Sequence, residues 1–107
     1  MSVPATMRAV QLTRHGDLDA LVVVADAPTP QPGPGEVLVR VLACGINNTD
    51  INTRVGWYAQ DEEDDGAWGG ALAFPVIQGA DVCGEIAAVG AGVDAARVGQ
   101  RVLVDPW

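Results

Sequence analysis

Gly79-Ala80-Asp81-Val82-Cys83-Gly84-Glu85-Ile86-Ala87-Ala88-Val89-Gly90 is the most informative run of this chain. Glycines punctuate a short apolar run, so Gly84 to Val89 reads as a strand closed by the turn Gly90-Ala91-Gly92-Val93. Arg101 to Val104 is the next strand, and Val76 to Gln78 a short one before it. Working further outward, Met7 to Leu12 is a first strand, Arg14-His15-Gly16-Asp17 its turn, and Leu21 to Ala25 a second strand. The proline-rich Ala27 to Gly35 lacks ladder donors at four positions, so it crosses the surface as a stiff extended segment. Glu36 to Cys44 carries Val37, Val39 and Val41 in a nearly continuous apolar run, which predicts a central strand buried on both faces. Asn48 or Thr49 is the expected N-cap of a short helix through Arg54, with Asp50 in its first turn and Gly56 as its stop.

Thirteen glycines and seven prolines fall between these short apolar stretches at intervals of about ten positions, the rhythm of an all-β sandwich or barrel. With 107 residues, 49% of them hydrophobic, the chain is one packed domain. Its longest apolar run, Ala20 to Ala25, has 6 residues, too few for a membrane-spanning helix. The formal net charge is −8, with six arginines and no lysine, so a phosphate backbone is repelled and nucleic acid is not an expected partner. The opening residues have neither the charge nor the apolar stretch of a signal peptide, and the cytoplasm is the expected compartment. Cys44 and Cys83 lie in apolar segments without Cys-x-x-Cys spacing and read as reduced, buried thiols.

Several apparent motifs carry little. Asp61-Glu62-Glu63-Asp64-Asp65 lacks the alternating ligands and central glycine of an EF-hand and reads as a solvated loop. Gly90-Ala91-Gly92-Val93-Asp94-Ala95 matches G-x-G-x-x-A, but Gly99 arrives too soon for the helix that would aim its N-terminus at a pyrophosphate. The one serine is Ser2, which rules out a serine triad. His15 is the sole histidine and reads as a solvated turn residue.

Four stretches in order resemble the N-terminal, GroES-like catalytic domain of the medium-chain dehydrogenase/reductase family, which contains zinc alcohol dehydrogenases and quinone oxidoreductases. They are MRAVQL, PGPGEVLVRV, CGINNTD and FPVIQGADVCGEIAAVGAGV running on to VGQRVLV. The resemblance implies a mainly β fold, a partly open GroES-like β-barrel with one short helix after the central strand. It makes residues 1–107 the N-terminal portion of that catalytic domain, without the Rossmann domain that binds NADP or NAD in the family.

It also implies the site. Zinc members carry Gly-x-Cys-x-(Ser or Thr)-Asp near the first helix, where this chain has Gly45-Ile46-Asn47-Asn48-Thr49-Asp50, and a Gly-His-Glu triplet where it has Gly79-Ala80-Asp81. An asparagine and an alanine thus stand at two ligand positions, and no catalytic zinc is expected. Members resembling quinone oxidoreductase share such replacements. By that analogy Asn47 is the expected catalytic and cofactor contact, donating to the substrate or to the nicotinamide ribose and amide. Thr49 is a catalytic hydroxyl for orientation or proton relay, and Asp81 a cleft residue. Both Asn47 and Thr49 also suit a helix cap.

Trp57, Tyr58 and Trp68 flank the acidic segment, where the family has a shorter link, and either line a substrate mouth or pack the loop down. The expected function is the substrate-side domain of a zinc-independent NAD(P)H-dependent oxidoreductase reducing a small carbonyl, enone or quinone, homo-oligomeric as a complete protein and inactive as this chain alone. The alternatives are a stand-alone β-barrel acting as a binding or assembly module, and zinc held through Cys44, Cys83 or His15.

Overall fold

The computed structural model of the chain describes residues 2–59 and 73–106. Among the described residues the regular structure consists of five strands and one α-helix: β1 (Thr6–Leu12), β2 (Leu21–Pro28), β3 (Val37–Cys44), α1 (Asn48–Val55), β4 (Val82–Val89) and β5 (Arg101–Leu103). Single 3₁₀ turns occupy Leu18–Ala20, Trp57–Ala59 and Ala95–Arg97. The expected mainly β fold with one short helix is what the structure has. The chain divides into two compact units, one of Met1–Met7, Asp26–Gly45 and Ala80–Trp107, the other of Arg8–Ala25 and Ile46–Gly79.

The first unit is organised by the antiparallel sheet β3-β4-β5. Its register begins with Val37 opposite Val89 and ends with Cys44 opposite Val82, but it slips twice between them. Ala87 is an extra residue on β4 and Leu42 an extra residue on β3, so the first slip is undone by the second. Each bulge bends its strand and increases the local twist. Between the bulges the backbones pass so closely that a Cβ on Gly84 would run into the Arg40 carbonyl and Val39 Cγ1. Ile86 and Ala87 of β4, together with Ala27, are the buried hydrophobic residues of this unit.

Gly33-Pro34-Gly35-Glu36 explains how the proline-rich crossing enters β3. Pro34 presets φ at the second position, Gly35 takes φ 77° at the third, and Glu36 donates its N–H to Gly33 O at 3.0 Å, which is a type II turn. The Glu36 carboxylate accepts from Gly33 N at 2.7 Å, and Gly35 N donates to Ala91 O at 2.8 Å, so the crossing is tied to the turn after β4. The crossing is shorter than the prolines imply, because β2 continues through Pro28.

β3 is not the strand buried on both faces that its valines suggest. It lies at the edge of the three-stranded sheet, and from Arg40 to Cys44 every residue is exposed. A β-branched run reports a strand but not its neighbours, and among the described residues only β4 pairs with it. Cys44 is accordingly exposed and Cys83 half-buried, both free. Cys83 faces Ala43 while Cys44 faces Val82, so the two thiols project from opposite faces of the sheet and cannot join.

In the second unit β1 and β2 pair, with Thr13 N donating to Ala20 O at one end of the hairpin. Leu12 and Ala20 are fully buried there. The strand expected at Val76 to Gln78 is reduced to one bridge, in which Leu12 and Val76 exchange both backbone bonds at 2.8 and 3.0 Å. Three residues bounded by Pro75 and Gly79 are too few to extend a ladder. Among the described residues no helix is long and apolar enough to cross a membrane.

The Gly84 contact sets a test of the sheet. Gly84→Ala is expected to lower folding stability by about 1–3 kcal/mol, the usual cost of overpacking, as read from the urea midpoint.

Candidate functional site

The site starts from a helix end. Asn47, rather than Asn48 or Thr49, is the N-cap of α1, with extended backbone at φ −145°, ψ 179°. Its Oδ1 accepts the Thr49 N–H at 2.9 Å, and the Asp50 carboxylate accepts the Asn47 N–H at 3.0 Å, closing a capping box. The Thr49 hydroxyl also donates to Asn47 Oδ1. The cap falls two residues earlier than Thr49 because Asp50 then stands at the third helical position, where its carboxylate reaches back.

This arrangement orients the carboxamide. With Oδ1 turned to the helix by two donors, the Nδ2 amino group is the end directed away from it. Asn47 is exposed and Thr49 half-buried, so the amide stands at the surface of the helix N-terminus. Its chemistry is hydrogen-bond donation to an oxygen. The Thr49 hydroxyl proton is engaged on the Asn47 amide oxygen.

Asp81 belongs to the other compact unit. It is half-buried, its carbonyl accepts the Gly45 N–H at 3.2 Å, and its side chain lies against Gly45, where there is no Cβ to displace it. Trp57 and Tyr58 stand just beyond the C-terminal end of α1, their rings edge-to-face at 5.1 Å and 87°. Eight helical residues, about 12 Å of rise, separate them from the Asn47 end. The structure therefore joins Asn47 with Thr49 and sets Trp57 and Tyr58 at the opposite end of the helix. Trp68 and the acidic run Asp61 to Asp65 lie outside the described residues.

His15 is not the solvated turn residue its neighbours suggested. It is half-buried, packs edge-on to Phe74 at 5.0 Å and 89°, and lies over Gly56, which caps α1 in the left-handed region at φ 80°. Its Nδ1 is 3.2 Å from Thr53 O, and since a carbonyl only accepts, that nitrogen carries the proton. Arg54 and Gly16 complete this clasp by exchanging two bonds, Gly16 N to Arg54 O at 2.9 Å and an Arg54 guanidinium N–H to Gly16 O at 2.7 Å. The contact joins positions 38 apart in sequence, which no local pattern could show.

Sequence reading also missed Gln78. It sits in the segment after Pro75, and its Nε2 donates to the Asp50 carbonyl at 3.2 Å.

The residues do not fit a catalytic zinc. Asn47 Oδ1 is turned to two helix donors and Ala80 offers a methyl group, and among the described residues no cluster of three or more His, Cys, Asp or Glu side chains could hold a metal. The Gly90 to Ala95 loop does not fit a dinucleotide either, for it leads into a single 3₁₀ turn, Ala95–Arg97, and then into β5.

The alcohol dehydrogenase GroES-like domain family matches residues 33–107. The chain belongs to this family. The resemblance seen in the four sequence stretches is thereby borne out. D-altritol 5-dehydrogenase of Agrobacterium fabrum is 39% identical over 100 residues, covering 94% of this chain and 25% of that protein. Quinone oxidoreductase of Rattus norvegicus is 34% identical over 97 residues, covering 91% and 26%. A crystal structure from Sinorhizobium meliloti 1021, assigned to the alcohol dehydrogenases, is 52% identical with a TM-score of 0.84, covering 96% and 30%. Similar structures include a mycobacterial one complexed with NADPH, 37% identical, TM-score 0.71, covering 92% and 27%, and one from Escherichia coli with NADH, 30% identical, TM-score 0.72, covering 96% and 25%. The chain spans about a quarter of the length of the curated relatives it matches.

The cap geometry separates structure from chemistry. Asn47→Ala should lower stability by about 1 kcal/mol, whereas Asn47→Asp, which keeps an acceptor and adds charge favourable to the helix dipole, should leave the urea midpoint unchanged.

Proposed function

We propose that these residues are the substrate-side domain of an NAD(P)H-dependent oxidoreductase that reduces a carbonyl, enone or quinone without zinc. The observation that carries the reading is the Asn47 carboxamide, held by Thr49 with its amino group directed away from the helix at the position where zinc members of the family have a cysteine. Hydride would come from NADH or NADPH bound outside these residues, a reading supported by the similar structures that contain them.

As the substrate carbon accepts hydride, negative charge gathers on its oxygen. A fixed N–H donor aimed at that oxygen costs no reorganisation at the moment of reaction, which is how an oxyanion hole lowers a barrier. Asn47 supplies the donor, Thr49 locks its orientation, and Asp50 holds the backbone that carries both. Asp81 is proposed as a substrate contact, and Trp57 and Tyr58 independently as contacts remote from the reacting carbon. The two free thiols accord with a reducing, cytoplasmic setting, and the complete enzyme is proposed to be a homo-oligomer.

The test uses the complete oxidoreductase carrying this domain, assayed with NADPH and NADH against quinones, enones and aldehydes. Activity should survive exhaustive chelation, and Asn47→Asp, which keeps the cap but removes both amide donors, should lower kcat/KM on the order of 10²-fold. Activity lost on chelation and restored by zinc, or an Asn47→Asp enzyme of full activity, would sink the proposal.

A further inference from the structure

α1 is an unusual helix to carry a reactive group, because it buries none of its side chains. An eight-residue helix has little intrinsic stability in water, and no packed apolar face compensates here. Polar bonds hold it instead. At its C-terminal end are His15, Gly16 and the Gly56 cap. Near its N-terminal end, among the described residues, Gln78 donates from outside the helix, Nε2 to Asp50 O at 3.2 Å.

Gln78 itself is well placed to act as an anchor. Two residues before it, Val76 is bridged to the buried Leu12 through both backbone bonds. Its amide oxygen, however, is buried without a hydrogen-bond partner. An orphaned buried carbonyl is a standing cost, comparable to or larger than the net gain from the single bond on the other side of the same amide. For folding alone, an apolar side chain of similar shape would serve as well. The residue is better explained by what its one bond does.

That bond ends on Asp50, whose carboxylate holds the Asn47 N–H, so displacement of Asp50 moves the carboxamide. We propose that Gln78 is a positioning residue for Asn47, anchoring the first turn of α1 at the expense of an unsatisfied buried oxygen. The inference rests on the reading of Asn47 as the substrate-polarising donor for its catalytic meaning, but not for its geometry.

The experiment replaces Gln78 with Met, close in shape and without polar hydrogens, with Gln78→Leu as a second variant. Expected are an unchanged or raised urea midpoint, because the orphan oxygen goes with the lost donor, and a shift of the Asn47 side-chain amide signals in the ¹⁵N spectrum of this chain. Amide hydrogens of α1 should exchange about five- to tenfold faster, the effect of one net hydrogen bond. In the complete oxidoreductase kcat should fall with KM nearly constant. Unmoved Asn47 signals, or a loss of stability with shifts spread over the whole chain, would overturn the inference. Shifted Asn47 signals with unchanged kcat would uphold it and count instead against the catalytic reading of Asn47.

Discussion

The candidate site depends on hydrogen bonds at the two ends of one short helix. α1 presents no buried side chain, so the hydrophobic effect, which holds most helices to their domains, contributes little to its placement. The capping box closes its first turn, Gln78 reaches its Asp50 carbonyl, and the His15, Arg54 and Gly16 clasp holds its last turn. Each bond is worth roughly 1 kcal/mol net, and a buried group left unpaired costs more than a pair gains. Such a helix is placed sharply in position but weakly in energy, a combination suited to presenting a polar group at a surface.

The sheet is built on the opposite principle. Ile86 and Ala87 are buried and Gly84 lets β3 pass over β4 at a distance no side chain would permit. Compensating bulges at Ala87 and Leu42 twist the pair without shifting its ends. The ion pairs of Arg14 with Asp19 and of Arg101 with Glu85 involve largely exposed arginines and contribute at most about 1 kcal/mol each.

Local signals are unambiguous where one residue type has one physical use. Gly56 marks the helix stop where expected, and the expected strand Gly84 to Val89 is present, beginning two residues earlier at Val82. Asn47 was singled out by resemblance, yet its cap was assigned to its neighbours, because Asn47, Asn48 and Thr49 are all good N-caps and only the reach of Asp50 selects among them. Valines marked β3 as a strand without revealing that it lies at a sheet edge. His15 and Gln78 carried no local signal at all.

The family, the mainly β architecture, the place of the helix and the replacement of two ligand-type residues by Asn47 and Ala80 are all legible along the chain. These follow from turn chemistry, side-chain alternation and residue identity, all properties of neighbours along the chain. Which way the Asn47 amide faces, what anchors α1 and which described strand lies at the sheet edge are set by contacts distant in sequence. Those depend on contacts such as His15 with Thr53 and Gln78 with Asp50, 38 and 28 positions apart, where any pairing is open until the backbone is folded.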